Sequence, residues 1–172
     1  MTNVIGVDPS LTCTGLATTY GCESIKTKPN QFAPLARLQH IARAVCEATF
    51  HAEAGLVVME GLAFASKSGM AGDRAGLHWL IRHFLDAAGI PVAIVTPSAR
   101  AKYATGKGNA GKDEVLIAVV QRLPIHVSDN NEADAAVLLA MGLDWLGTPL
   151  AVMPATHRTA LDKVEWPEGI KP

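Results

Sequence analysis

The sequence comprises 172 residues, of which 49% are hydrophobic and 18% are charged. That length gives room for one domain with a buried core but not for two large ones, and the composition excludes a disordered chain. The net charge of −1 does not indicate a nucleic-acid-binding protein, although seven basic and four acidic side chains between Gly61 and Val115 suit either a basic face or an ordinary mixed surface.

Neither membrane insertion nor a cysteine- or histidine-based metal site is indicated. No apolar run approaches the roughly 18 residues of a membrane-spanning helix, and the N-terminus has no basic region followed by an apolar core. We therefore expect no membrane partner and a cytoplasmic location. Cys13, Cys22 and Cys46 have no CxxC spacing and are expected to be free thiols, and the six histidines lack zinc-site spacing.

The first predicted element is a strand pair within Asn3–Ala17. An apolar, β-branched run ends at Asp8, where Pro9 removes a backbone donor and interrupts the strand. Strand character returns from Thr12 to Thr19, and Gly15 allows another backbone to approach closely. Because a carboxylate on a buried strand is costly without a cation, Asp8 is expected to have a positively charged partner.

Strands and helices then follow one another along the chain. A third strand is expected over Ser24–Lys28, and a helix begins at Pro34 and ends in the region of Gly55. The apolar face of this helix is predicted to consist of Leu35, Leu38, Ile41 and Val45. A buried strand, Leu56–Glu60, comes next and ends in a second carboxylate.

The middle of the chain continues this pattern. A polar loop, Gly61–Gly72, precedes an amphipathic helix that stops at Gly89. The apolar positions of that helix are Leu77, Leu80, Ile81, Phe84 and Leu85. A buried strand, Ile90–Val95, leads into a short helix opened by Thr96 and the proline after it. A glycine-rich loop over residues 105–111 then precedes a helix over residues 112–123.

The last long helix is predicted over Asp129–Leu146, with Asp129 and Glu132 as a capping box and Gly147 as its stop. Asp134 shares its core-facing side with Leu138, Met141 and Trp145, where a carboxylate needs compensation. Prolines interrupt the chain from Thr148 onward. We therefore expect a domain over residues 1–147 and a loosely packed tail, residues 148–172, that lies on the body or on a partner subunit.

This order of elements predicts an α/β fold with a mixed β-sheet flanked by helices. Asp8, Glu60 and Asp134 each stand at the polar end of an apolar element. Convergent carboxylates bind Mg²⁺, and two such ions about 3.5–4 Å apart can activate water and stabilise the leaving oxygen in a phosphoryl displacement. The alternative is that each carboxylate separately caps a helix or pairs with a nearby base.

Four segments resemble, in order and at suitable spacing, the motifs of the RuvC family of Holliday-junction resolvases. They are IGVDPSLTCTGLA, VVMEG, TGKGNAGKDEV and NEADAAVLLAMG, and together they span Val4–Gly142. The resemblance implies an RNase H-like fold and a homodimer, in a bacterial or phage-infected cell. It also implies Mg²⁺-dependent endonuclease cleavage of four-way DNA junctions, with Mn²⁺ as a substitute and one symmetric nick per subunit. The compact length and the altered acidic motif suggest a phage-type member.

By motif position, the resemblance implies that Asp8, Glu60 and Asp134 are metal ligands and that Lys112 is the basic catalytic residue near the cleaved phosphate. Lys107 would contact DNA. The loop after Glu60 would enter the junction, where an aromatic side chain stacks on an unpaired base. Phe64 is the aromatic residue available there, although it stands one position late, and it could instead be a core residue.

One departure from the family affects the metal site. The family usually has a fourth acidic or histidine ligand three residues before the last Asp, and Asn131 stands there in this chain. An amide offers an oxygen but no charge, so we expect a weaker second metal site. Asp129 is the alternative for this position, from the unwound start of the helix.

Further DNA contacts are expected from Lys67 and Arg74. Arg100 and Lys102 could contact phosphates or lie in solvent.

A nucleotide hydrolase is the rival interpretation of the glycine-rich loop. GKGNAGK fits a phosphate-binding loop up to its last position, where Asp113 replaces the Ser or Thr that would coordinate Mg²⁺. We therefore expect no nucleotide cofactor. Two functions besides junction resolution stay open: junction binding with weak or no cleavage, and broader nuclease activity on forked or flapped DNA.

Overall fold

The computed structural model describes residues 2–62 and 70–170 and contains a five-stranded sheet of order β3-β2-β1-β4-β5. The strands are β1 (Asn3–Asp8), β2 (Cys13–Thr18), β3 (Gly21–Lys26), β4 (Ala54–Glu60) and β5 (Val92–Val95). β1, β2 and β3 pair in antiparallel fashion, whereas β4 is parallel to both β1 and β5. The predicted mixed sheet is therefore confirmed.

Helices cover both faces of this sheet. They are α1 (Pro34–His51), α2 (Ala71–Ala87), α3 (Pro97–Thr105), α4 (Lys112–Arg122), α5 (Asn130–Trp145) and α6 (Ala155–Arg158). α1 and α2 form one hydrophobic core with the sheet, and α3, α4, α5 and the tail form a second core on the opposite face. Among the described residues, no helix combines the length and the apolar character that crossing a membrane requires.

The ends of the helices follow local chemistry. The Thr96 hydroxyl accepts a hydrogen bond from the amide of Ala99 at the start of α3, and Gly147 adopts a φ of 79° after α5. Asp129 caps α5 by accepting from the amides of Asn131 and Glu132. The predicted capping box is wrong in its second half, because the Glu132 carboxylate accepts from the amide of Ser128, one residue before the cap.

Two predictions about α1 are also wrong. Leu35 is 64% exposed, because the buried stripe of the helix includes Arg37 and continues through Ile41 and Val45. The Arg37 guanidinium donates to the carbonyl of Leu11 and to the hydroxyl of Thr27, which allows a cation to replace an apolar side chain there. Gly55 does not end the helix but lies within β4.

Two glycines let α5 lie directly on β1 and β2. A Cβ atom on Gly6 would lie 2.1 Å from the carbonyl oxygen of Ala135, and one on Gly15 would lie 2.1 Å from that of Asn131. These distances are far below van der Waals contact, so backbone meets backbone, as predicted for Gly15. α5 is consequently buried on every side from Glu132 to Asp144.

The tail packs onto the body between Met153 and Trp166, so the prediction of loose packing is wrong for this stretch. Trp166 stacks on Trp145 with ring centroids 4.3 Å apart. The buried carboxylate of Asp144 accepts a hydrogen bond of 3.0 Å from the Tyr103 hydroxyl and pairs with Arg158 of α6. The division between residues 1–147 and 148–172 stays a prediction.

Replacing Gly6 by Ala is expected to lower the free energy of unfolding by about 3 kcal/mol, because the new methyl group would meet the backbone of α5. Urea denaturation would measure the change. Gly72→Ala is the control, since a Cβ atom there meets nothing within 4 Å and Ala favours a helix. An unchanged midpoint for Gly6→Ala would contradict the close contact.

Tyr103→Phe is expected to lower the free energy of unfolding by about 2 kcal/mol, since the buried Asp144 loses a hydrogen bond to its charged carboxylate. Thermal and urea denaturation would measure this. The matched control is Tyr20→Phe, at a side chain that is 89% exposed and should change stability little. Equal effects of the two substitutions would show that the Tyr103 hydroxyl does not stabilise the fold.

Candidate metal centre

The topology of the sheet brings two of the predicted carboxylates to one edge. Asp8 ends β1 and Glu60 ends β4, and these strands are parallel neighbours with Val7 opposite Met59. The carboxyl ends of parallel neighbours lie side by side, so both side chains emerge together. Asp134 joins them because α5 crosses β1 and β2 at the glycine positions. The three predicted metal ligands therefore converge.

Burial and mutual repulsion make this cluster electrostatically unfavourable. Asp8 is 8% exposed and Asp134 only 2%. Burial, followed by the charges of Glu60 and Asp134, raises the pKa of Asp8 well above its ordinary value. Burial is also the main reason that the pKa of Asp134 rises to about 6. Burial therefore disfavours the ionised form of both carboxyl groups, and the neighbouring carboxylates add to that cost.

Arg100 stands inside this cluster, which the sequence did not predict. Its Nε donates to Oε2 of Glu60 and its Nη1 donates to Oδ1 of Asp134. Although burial opposes its charge, the two carboxylates raise the pKa of Arg100. The prediction of a solvated side chain is wrong, because Arg100 is 8% exposed and donates to two carboxylates. A phosphate contact of Arg100 stays a prediction.

A signal for this position exists in the sequence. Arg100 lies in a helix otherwise rich in small apolar side chains, and that helix directly follows a buried strand. A helix of this kind packs closely against the sheet, so an arginine within it is expected to be buried and paired. The neighbours concerned are Ala99, Ala101 and Ala104, all of which are buried.

A cleft of about 490 Å³ opens beside the carboxylates. Asp8, Glu60, Asn131, Lys112 and Arg74 are among the residues that line it. The structure therefore brings Asn131, the first candidate for the fourth ligand, into the same cleft as Asp8 and Glu60. The second candidate, Asp129, instead accepts two backbone hydrogen bonds as the N-cap of α5.

The predicted basic residues have different surroundings. Lys112, the first residue of α4, is exposed, and its charge lowers the pKa values of Asp8 and Asp134. Lys107 is exposed in the loop between α3 and α4, and Lys102 is half-buried on α3. Arg74 is exposed on α2. Phe64 and Lys67 lie outside the described residues.

The loop that contains Lys107 differs from a phosphate-binding loop in its position. α3 lies between β5 and this loop, and Gly106 ends that helix with a φ of 84°. A phosphate-binding loop connects a strand directly to a helix. The geometry therefore does not match a nucleotide-binding site of that type.

The donor atoms of the centre fit a divalent cation only in part. Carboxylate and amide oxygens are the ligands that Mg²⁺ and Mn²⁺ accept, and Asp8, Glu60 and Asn131 offer such oxygens beside one cleft. Within residues 2–62 and 70–170, however, no three Asp, Glu, His or Cys side chains are arranged to hold a metal ion. Arg100 takes one oxygen from each of two candidate ligands.

No protein-family model and no curated protein sequence matches this chain. Several solved structures are similar to this chain. Thermus thermophilus RuvC is 23% identical over 87% of this chain and 99% of its own, with a TM-score of 0.65. The same protein in complex with a Holliday junction substrate is 22% identical over 88% and 100%, with a TM-score of 0.66. The chain has the fold of RuvC.

A more distant structure is similar over most of the chain. The yeast mitochondrial Holliday junction resolvase Ydc2 is 9% identical over 94% of this chain and 81% of its own, with a TM-score of 0.52. At such identities the likeness establishes the fold alone. The RNase H-like fold implied by the RuvC resemblance is therefore confirmed, whereas the roles of Asp8, Glu60, Asp134, Asn131 and Lys112 stay predictions.

Proposed function

We propose that this chain is a divalent-metal-dependent endonuclease that resolves four-way DNA junctions. The observation that carries the proposal is the convergence of Asp8, Glu60 and Asp134 at one edge of a sheet with the RuvC fold. Neighbouring structures of that fold are described as a RuvC bound to a Holliday junction and a mitochondrial Holliday junction resolvase. Branched DNA is therefore the substrate class that we assign.

The carboxylates of Asp8, Glu60 and Asp134 would hold the metal ion, which we propose to be Mg²⁺ with Mn²⁺ as a substitute. A bound divalent cation supplies Lewis acidity and lowers the pKa of water, so that water can attack phosphorus. Asn131 would assist with an amide oxygen from the same cleft. The burial of Asp8 and Asp134 holds these acceptors in a fixed position and makes binding of a cation to them more favourable.

Lys112 is the residue that we assign to the scissile phosphate. It is exposed, lies at the first position of α4 and lines the cleft that contains Asp8. An ammonium group there can bind a phosphate oxygen and offset the charge that develops as the phosphodiester breaks. The start of a helix also favours an anion.

Further DNA contacts are proposed for Lys107 and Arg74, with Phe64 and Lys67 in the segment after β4. Lys107 is exposed in the loop before α4, and Arg74 lines the cleft from α2. Basic side chains in these places would position phosphates without reading sequence. We further propose a homodimer, because a two-fold pair of sites would cut a nearly two-fold junction with one symmetric nick per subunit.

A junction-binding protein with weak or no cleavage is the second candidate. Two observations favour it: Asn131 carries no charge, and Arg100 occupies one oxygen each of Glu60 and Asp134. Both reduce the capacity of the centre for cations. A nuclease with a broader preference for forked or flapped DNA is the third candidate, since metal chemistry does not determine the shape of the substrate.

Cleavage of a synthetic four-way junction tests the proposal. We expect paired symmetric nicks in Mg²⁺, and no nicks in EDTA or with Asp8→Asn, which removes a charge from the centre but no DNA contact. Labelled junction, replication fork and linear duplex would be resolved on denaturing gels, and binding would be followed by mobility shift.

The outcomes separate the three candidates. Retained junction binding by Asp8→Asn with lost cleavage supports the resolvase. Equal cutting of fork and junction by the wild-type chain contradicts junction selectivity and favours the broader nuclease. Tight junction binding without cleavage in Mg²⁺ or Mn²⁺ favours the binding protein.

Lys112→Ala is expected to reduce the single-turnover cleavage rate about 10²-fold, since a positively charged donor to the phosphate is lost. Lys112→Arg should retain most of the rate because it keeps the charge. Lys163→Ala, at an exposed lysine of the tail, is the control and should cleave like the wild type. Equal rates for Lys112→Ala and Lys163→Ala would refute the role of Lys112.

A further inference from the structure

We propose that Arg100 takes the place of a second divalent cation, so that this centre binds one metal ion per chain. The inference rests on the proposed function and specifies how its metal site is composed. Its starting observation is that the guanidinium of Arg100 places a positive charge among the carboxylates predicted to bind metal.

Arg100 is buried in the centre and forms ion pairs with two of its carboxylates. Its side chain is 9% exposed, and the two carboxylates that it joins, Glu60 and Asp134, are 16% and 3% exposed. A guanidinium keeps its charge at every pH at which proteins fold, and its planar fork suits two carboxylate oxygens. Moving it into solvent would leave buried carboxylates without their cation, which is strongly unfavourable.

The charges in the centre match one divalent ion. Of the three negative charges on the ionised carboxylates of Asp8, Glu60 and Asp134, Arg100 offsets one by direct contact, which leaves two inside the centre, with the exposed Lys112 lining the cleft beside them. One divalent cation neutralises these charges, whereas a second would leave an excess of positive charge in a buried place.

Asn131 points to the same conclusion from a separate element. It lies at the start of α5 and lines the cleft with Asp8, where a fourth carboxylate would have supported a second ion. Arg100 comes from α3, on a different part of the chain. One residue therefore adds a positive charge and the other lacks a negative charge, and both changes lower the number of divalent ions that the centre can hold.

Enough oxygen atoms remain for one ion. Arg100 uses Oε2 of Glu60 and Oδ1 of Asp134, which leaves the other oxygen of each carboxylate. Asp8 accepts no side-chain hydrogen bond from residues 2–62 or 70–170, and Asn131 lines the same cleft as Asp8. Arg100 forms ion pairs with two carboxylates predicted to bind metal, so the role that we assign to it is that of a positioning residue.

Counting bound Mn²⁺ tests the inference without any cleavage assay. The full chain would be titrated with Mn²⁺ alone, and free Mn²⁺ would be measured by electron paramagnetic resonance. We expect one ion per chain for the wild type and two for the double variant Arg100→Gln with Asn131→Asp. Arg43→Gln is the control, since that arginine is exposed on α1, and it should bind one ion with wild-type affinity.

The single variant Arg100→Gln provides a second readout. Its Kd for Mn²⁺ should fall at least tenfold, because three buried carboxylates lose their internal cation. Its Tm should fall in EDTA and be restored by Mn²⁺, and Arg100→Lys should recover part of the Tm in EDTA. A purely structural arginine would lower the Tm without this metal-dependent recovery, which would overturn the inference.

The ion count also separates failure of this inference from failure of the proposed nuclease activity. Two Mn²⁺ ions per wild-type chain, or a count that stays at one in the double variant, overturn the inference even if Arg100→Gln alone fails to fold. A wild-type chain that cuts junctions and binds two ions refutes only the inference. A chain that binds one ion and cuts no DNA refutes only the proposed nuclease activity.

Discussion

The close approach of α5 to the sheet is the constraint on which the rest of the centre depends. Gly6 and Gly15 allow the backbone of the helix to touch the backbones of β1 and β2, and no side chain separates them. Asp8 ends β1 opposite Gly15. Because this approach carries Asp134 to the edge where Asp8 and Glu60 emerge, packing at two glycines determines where three charges meet.

The three neighbouring carboxylates of Asp8, Glu60 and Asp134 would be unfavourable without a cation. Burial favours neutral carboxyl groups, and each carboxylate raises the pKa of its neighbours. Arg100 reduces the repulsion between the carboxylates by forming ion pairs with Glu60 and Asp134. The remaining negative charge faces a cleft in which Lys112 and Asn131 also lie, and this is the place where an external cation and a phosphate would meet.

The tail supports the helix that carries Arg100. The Tyr103 hydroxyl of α3 bonds Asp144 of α5, and Nδ1 of His157 in α6 contacts the Tyr103 carbonyl at 2.9 Å. His157 also packs against Gly106, where the loop toward Lys112 begins, since a Cβ atom on that glycine would lie 2.8 Å from its Nε2. The position of Arg100 thus depends on contacts from residues beyond the last recognised motif.

The sequence by itself determined the elements of the fold, their order and three of the carboxylates of the centre. Apolar periodicity, the Thr96–Pro97 helix start and the glycine stops are local properties, and Asp8, Glu60 and Asp134 stand out because carboxylates interrupt apolar elements. Only the tertiary structure decided the partner of those carboxylates. Arg100 and Asp134 are 34 residues apart, and no local pattern encodes that pairing. The same reason applies to Leu35 and to the tail, because exposure depends on what the rest of the chain places against a surface.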